Sequence, residues 1–235
     1  MNQQLPDVLV LCGGQGTRLS SVLPNTPKIM APINNHIFID YLFKHLQKQN
    51  AKRLILCVGH LRDQIYTHIK NNPQPNFEIL FSEETAPLGT GGAIKNALKH
   101  ITTKSLIVIN GDSFINISLQ NFLAFHNTHN ADISIALNYL PDISRYGAVT
   151  INNNNQIIRF KEKSTTPQKG LMNAGVYILN SSLLSKYKAP FSIEKDIFTQ
   201  TTNYNIYGYV SKNTQFIDIG TPESLLEAQN FFGKL

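Results

Sequence analysis

The stretch VLVLCGGQGTRLSSVLPNTPK, Val8–Lys28, runs a continuous apolar segment straight into a glycine-rich loop that carries two cations. Unbroken apolar residues from Val8 to Cys12 suit a strand covered on both faces. In a parallel sheet, ligands bind beyond the carboxyl ends of the strands, which is where Gly13, Gly14 and Gly16 fall. Glycines there let the backbone reach positive φ and bring its amides close to phosphate oxygens. Arg18 adds a planar fork of donors and Lys28 a point charge. Two familiar phosphate loops are excluded. A dinucleotide fingerprint starting at Gly14 needs glycine at position 19, which is Leu19, and a Walker A loop needs Gly-Lys-Ser/Thr, which is absent. The glycines alone read equally well as a turn. The added Thr17, Arg18, Pro27 and Lys28 favour an anion site.

Working outward, the first half alternates short apolar runs with helical patterns. Strands are predicted at Val8–Cys12, Leu54–Val58, Phe77–Phe81 and Leu106–Ile109, with helices near Ile37–Gln49, Leu61–Lys70 and Gly91–His100. Such alternation implies a parallel sheet with right-handed crossovers. The second half has shorter connections between predicted strands Asp132–Asn138, Ala148–Ile151, Gln156–Lys161 and Met172–Leu179. Asn152–Asn155 reads as a hairpin turn, since Asn tolerates positive φ. Helices are predicted at Leu119–Asn127, Ser192–Gln200 and Pro222–Phe232, the last with Thr221 as N-cap, Pro222 at the first position and Glu223 in the first turn. The fold class is therefore α/β: a mixed, mostly parallel sheet flanked by helices in one domain.

The chain has 235 residues, enough for one large α/β domain. With 42% apolar and 15% charged residues it is globular and not disordered. The net charge of +6 is spread along the chain with no massed run, which argues for a small anionic substrate and against nucleic acid. Cys12 and Cys57 each end an apolar run and read as buried strand residues, without disulfide or metal spacing. The seven histidines show no metal-like spacing either. No segment reads as a signal peptide or a membrane span, so the expectation is a cytoplasmic protein with no membrane partner.

GGxGTRL followed by PK resembles the signature of the sugar-1-phosphate nucleotidyltransferases. The resemblance continues in order through PLGTGGAI (Pro87–Ile94), NGD (Asn110–Asp112), RYG (Arg145–Gly147), FKEK (Phe160–Lys163), NAGVY (Asn173–Tyr177) and FIDIGTPE (Phe216–Glu223). It covers nearly the whole chain. One departure is Ile29, where many members carry proline after the lysine. The resemblance implies a Rossmann-like, GT-A-like fold in a single domain over residues 1–235. Residues 1–130 would approximate the nucleotide-binding half and 131–235 the sugar-phosphate-binding half.

In this family the sugar-phosphate oxygen attacks the α-phosphorus of a nucleoside triphosphate and pyrophosphate leaves. The nucleophile, with a second pKa near about 6, is already largely dianionic at neutral pH, so no general base is required. The chemistry needs positioning and neutralisation of charge. By resemblance, Asp112 and Asp218 hold Mg²⁺, Arg18 and Lys28 contact the triphosphate, and Lys163 holds the sugar phosphate. Leu11, Gly13, Gly14, Gly16, Thr17, Glu84, Gly89, Thr90 and Gly111 surround the nucleotide. Glu162, Gly147 and Asn173 line the sugar site, and Tyr146 reads as a packing residue.

Glu84 points to guanine, because a carboxylate accepts hydrogens only and guanine offers N1–H and N2–H₂ on one edge. Within the family the chain resembles the heptose 1-phosphate guanylyltransferase branch, through PKIMAPI, SEETAPLGTGGAIK, RYG and FIDIGTPE. The expected substrates are GTP and D-glycero-α-D-manno-heptose 1-phosphate. Uridylyl or thymidylyl transfer, and mannose, N-acetylmuramate or glucose 1-phosphate, are the alternatives. A non-catalytic nucleotide-sugar binder and a glycosyltransferase are the rivals from other classes. The first need not retain the carboxylate pair, and the second usually offers a D-x-D motif that NGDSF lacks. A homo-oligomer is left open.

Overall fold

The computed structural model describes residues 4–14, 16, 18–161, 166–211 and 214–234. In chain order the elements are β1 (Val8–Leu11), β2 (Pro32–Ile33), β3 (His36–Ile37), α1 (Phe38–Lys48), β4 (Arg53–Val58), α2 (Arg62–Asn71), β5 (Glu78–Glu83), α3 (Gly89–Ala97), β6 (Ser105–Asn110), β7 (Ser113–Ile115), α4 (Leu119–Thr128), β8 (Ile133–Leu140), β9 (Ala148–Ile151), β10 (Ile157–Lys161), β11 (Gly170–Asn180), β12 (Ile206–Val210), β13 (Phe216–Asp218) and α5 (Pro222–Phe232).

The main sheet runs β10-β9-β11-β6-β1-β4-β5, and β8 joins β11 to β12. Strands β6, β1, β4 and β5 are parallel, while β11 lies antiparallel to β6. The sheet is thus mixed and mostly parallel in its N-terminal half, as the alternating pattern predicts. Val8 and Val10 pack on one face with Phe38, Phe43 and Leu46. Leu9 packs on the other with Ala93, Ile94 and Ala97. Burial on both faces is why the run reads as continuously apolar.

From β1 the chain moves outward through β4 to β5, then returns to β1's other edge as β6. Strand order therefore reverses between β1 and β6, and a crevice opens at their carboxyl ends. Leu11 and Asn110, register partners, mark that place.

Sequence and structure differ at several elements, among them the short β2 and β3, which carry no sequence signal. Ser192–Gln200 is not a regular helix; it holds a single wide π-type turn at Glu194–Phe198. Strand β12 carries glycine in the middle of a five-residue run, which masks its pattern, yet it pairs in parallel with β8. The short β7 and β13 pair only with each other. The predicted hairpin is present, with Asn155 at φ 63 between β9 and β10. Both cysteines are buried and free, and burial pushes their thiols up, so they are inert packing residues.

Two histidines couple folding to pH. His45 on α1 packs edge-on against Phe114 at 5.0 Å, and Nδ1 of His126 on α4 lies 2.9 Å from Ser134 Oγ. Burial pushes both down to about 4; Lys48 adds to the effect at His45 and Asp132 opposes it at His126. Unfolded histidines titrate near about 6.5. Between these values the unfolded chain binds more protons, so stability is fully present above pH ~6.5 and is lost as pH falls toward 4. Calorimetric melting from pH 7.5 down to 4.5 is expected to show a falling Tm, with a shallower slope in His126→Asn. An unchanged slope in that variant counts against the assignment.

Candidate active site

The crevice at β1 and β6 holds a cavity of about 440 Å³. It is lined by Leu11 at the end of β1 with Gly13 and Gly14 beyond it, and by Asn110 at the end of β6 with Gly111 and Asp112 beyond it. Arg18 and Lys28 line it from the glycine-rich loop. Gly147, Asn173 and Gly175 line it from the second half, where a bulge between Asn173 and Tyr177 bends β11. Gly175 sits in that bulge at φ +77, with Ser113 Oγ only 2.5 Å from where a Cβ would stand, so glycine is required there.

Strands β7 and β13 bring the two distant carboxylates together. Asp218 is the register partner of Ser113, and the Ile219 amide donates to the Asp112 carbonyl at 2.9 Å. Both carboxylates line the same cavity although they are 106 residues apart in sequence (218 minus 112). Asp112 Oδ2 accepts from Lys28 Nζ at 2.7 Å. Asp218 is 8% exposed. Its Oδ1 accepts from Arg145 Nη2 at 2.8 Å, from Ser224 Oγ at 2.9 Å and from the Gly220 amide at 2.9 Å. Its Oδ2 accepts from Tyr146 Oη and, at 3.1 Å, from Arg145 Nη2. Ser224 also closes the N-terminal cap of α5 with Thr221. The predicted Thr221–Pro222 helix start therefore also positions an acid in the site.

Tyr146 corrects a sequence expectation: it is not a plain packing residue but donates to Asp218, and burial followed by that bond pushes its hydroxyl pKa well up. Arg145 was visible inside RYG yet carried no assignment. Its role depends on a partner 73 residues away, which no local pattern reveals. Glu194 and Lys195 also line the cavity unforeseen, because the turn that carries them read as an ordinary helix.

The remaining expected residues divide. Thr90 lines the cavity, but its hydroxyl donates to Glu194 Oε2 at 2.5 Å and accepts from the Ile193 amide at 3.0 Å. Gly89 is not among the lining residues. Its glycine is explained by Phe191, whose carbonyl oxygen lies 2.5 Å from a would-be Cβ at φ +72. Gly16 sits beside Lys28, at φ +61. Glu84 stands next to Gly13 and its Oε2 accepts from the Leu88 amide at 3.2 Å. Burial raises its pKa and the Leu88 bond opposes the rise. Asn173 is fixed by donating to Tyr177 Oη at 2.9 Å and accepting from the Gly175 amide at 2.9 Å. Thr17, Glu162 and Lys163 lie outside the described residues.

A glycine-rich loop, two cations and two carboxylates lining one cavity at a sheet's switch point define a site for activated phosphates. The family described as Nucleotidyl transferase matches residues 7–234, and the chain belongs to it. The sequence is 37% identical over 226 residues to the D-glycero-alpha-D-manno-heptose 1-phosphate guanylyltransferase of Aneurinibacillus thermoaerophilus, covering 95% of this chain and 96% of that protein. It is 36% identical to the Campylobacter jejuni protein of the same name, covering 92% and 95%. The crystal structure of HddC from Yersinia pseudotuberculosis complexed with GMP-PN superposes with a TM-score of 0.86 at 35% identity, covering 97% of this chain and 100% of that one. Among the described residues no helix is long and apolar enough to cross a membrane.

Proposed function

We propose that the protein transfers a guanylyl group from GTP to D-glycero-α-D-manno-heptose 1-phosphate, releasing pyrophosphate. The observation that carries this reading is the convergence of the glycine-rich loop, Lys28, Asp112 and Asp218 on one cavity in a chain so similar to guanylyltransferases. The sugar phosphate is the nucleophile and already carries its negative charge, so the residues must bind, align and neutralise. The amides of Gly13 and Gly14 cradle the triphosphate, and Arg18 and Lys28 compensate its charge. Asn173 and Gly147 face the sugar, with Glu162 and Lys163 assigned there by resemblance. The chain works as one domain in two halves, the first holding nucleotide and the second sugar phosphate.

Asp112 and Asp218 fit Mg²⁺. They are hard oxygen donors lining one cavity, and magnesium takes one or two protein carboxylates with the rest from substrate and water. Among the described residues no third His, Cys, Asp or Glu joins them, which fits an ion shared with a triphosphate. Bound there, the ion would neutralise charge on the reacting phosphates.

Base choice falls to Glu84. Its Oε2 is held by Leu88 while the carboxylate lies against the loop that bears the nucleotide. A panel of four nucleoside triphosphates against several sugar 1-phosphates tests the function. Pyrophosphate release is expected to be fastest with GTP and the heptose phosphate. No release with any pair sinks the enzymatic reading, and release with UTP or dTTP alone sinks the guanylyl assignment. Glu84→Gln is expected to lower kcat/KM for GTP by about 10- to 100-fold, the effect of losing a hydrogen bond to a charged group. An unchanged preference for GTP removes Glu84 from base recognition.

A further inference from the structure

Each carboxylate assigned to the divalent cation is already paired with a cation of the protein. Asp112 binds Lys28 at 2.7 Å, and Asp218 binds Arg145 through both oxygens, at 2.8 and 3.1 Å. The four side chains sum to zero formal charge, two negative against two positive. The pairs come from four separate places in the chain, brought together by the β7–β13 ladder and the loop after β1. A divalent ion bound by these carboxylates alone would share them with an ammonium and a guanidinium that already lie 2.7 and 2.8 Å from their oxygens, and like charges that close repel strongly away from bulk water. A triphosphate changes this balance, because its oxygens accept from the same lysine and arginine.

Resting on the proposed function, we propose that Lys28 and Arg145 act as internal counter-ions that hold the metal carboxylates until the triphosphate takes them over, so that metal and nucleotide load together. Arg145 is suited to the exchange. Its side chain is 42% exposed, against 11% for its partner Asp218, and its planar fork matches phosphate as well as carboxylate. Asp218 stays in place during the exchange because Ser224, Gly220 and Tyr146 continue to hold it. Arg145 is therefore a positioning residue for the metal site and a phosphate-binding residue afterwards.

The consequence is a reciprocal coupling of binding, of the size usual between linked sites, about 5- to 150-fold. Mn²⁺ serves as the probe, with free ion followed by electron paramagnetic resonance and sugar phosphate omitted so that no turnover occurs. Wild-type protein is expected to bind Mn²⁺ weakly alone and at least about 10-fold more tightly with GTP present, after correction for Mn²⁺·GTP formed in solution. Arg145→Gln is expected to bind Mn²⁺ alone more tightly than wild type and to lose most of the gain from GTP. Arg145→Lys keeps the charge and is expected to restore weak metal-alone binding. A purely structural arginine would not produce tighter metal binding on removal. If Arg145→Gln does not fold, Lys28→Gln carries the same test. Equal Mn²⁺ affinity with and without GTP in wild type overturns the proposal, as does metal-alone binding that is unchanged or weaker in the glutamine variant. These are binding readouts, so they stand apart from failure of the transfer reaction itself, which the substrate panel reports.

Discussion

Asp112→Ala is expected to lower pyrophosphate release by about 10²- to 10³-fold, the usual cost of deleting one preorganised charge-stabilising group, while leaving the fold intact. The reason lies in its surroundings. The Asp112 side chain is 38% exposed and its ion pair with Lys28 faces the cavity. Such a pair contributes about 0–1 kcal/mol to stability, so thermal unfolding should shift by only a few degrees. Asp218→Ala is a different experiment. That carboxylate is buried and accepts from Arg145, Tyr146, Ser224 and the Gly220 amide. Its removal leaves buried donors unpaired at about 1–3 kcal/mol, so lost activity could be blamed on the fold. Asp218→Asn keeps the shape and one acceptor oxygen, placed on the side of Ser224 and the Gly220 amide, while removing the charge and turning an NH₂ toward Tyr146, so it disturbs the site less than alanine does. Steady-state pyrophosphate release with melting curves on Asp112→Ala and Asp218→Asn decides the matter. Activity surviving both substitutions would remove these residues from the chemistry.

The two aspartates show what a sequence can and cannot say. Both take their expected metal role from the resemblance: Asp112 by itself reads as a residue of the turn after an apolar run, and Asp218 lies on a three-residue strand paired with another three-residue strand, which has no periodicity to detect. Their meeting is a tertiary fact of the β7–β13 ladder. Arg145 and Tyr146 were hidden for the same reason. Strands β1, β4 and β6 of the parallel half, by contrast, are readable, because strands buried on both faces are apolar along most of their length, whereas the half-exposed edge strand β5 ends on Ser82 and Glu83, beyond the expected Phe77–Phe81. The PLGTGG run shows a subtler limit. Glycines near a nucleotide invite a phosphate reading, yet a Cβ at Gly91 would stand 2.2 Å from the Phe191 ring, and the amides of Gly91 and Gly92 donate to the Phe191 carbonyl at 3.0 and 3.2 Å. Those glycines seat α3 against residues 189–191 and so set the position of Thr90 on the cavity wall.

Gly111→Ala is expected to damage both the fold and the chemistry, and comparison with Gly14→Ala separates the two effects. Gly111 follows β6 and donates its amide to the Leu11 carbonyl of β1 at 3.0 Å. A Cβ there would stand 2.5 Å from that carbonyl oxygen and 3.2 Å from Ile29 Cδ1. The first neighbour is backbone in the central parallel pair, so it cannot rotate aside. Relief requires β1 and β6 to part at the switch point, an overpacking strain of about 1–3 kcal/mol. At about 2–4 °C per kcal/mol for a chain of this size, Tm should fall by several degrees. Asp112 is the next residue and must move with the backbone. A displacement of order 1 Å at a reacting site costs about 100-fold in rate, so kcat should fall well beyond what partial unfolding explains. Gly14 is the control, because nothing lies within 4 Å of a Cβ built there. Gly14→Ala should melt like wild type and instead raise the KM for GTP, since the added methyl stands where the triphosphate approaches the loop. If Gly111→Ala keeps both its Tm and its kcat, the close β1–β6 approach does not position Asp112. If Gly14→Ala leaves the KM for GTP unchanged, the first loop is not the triphosphate cradle.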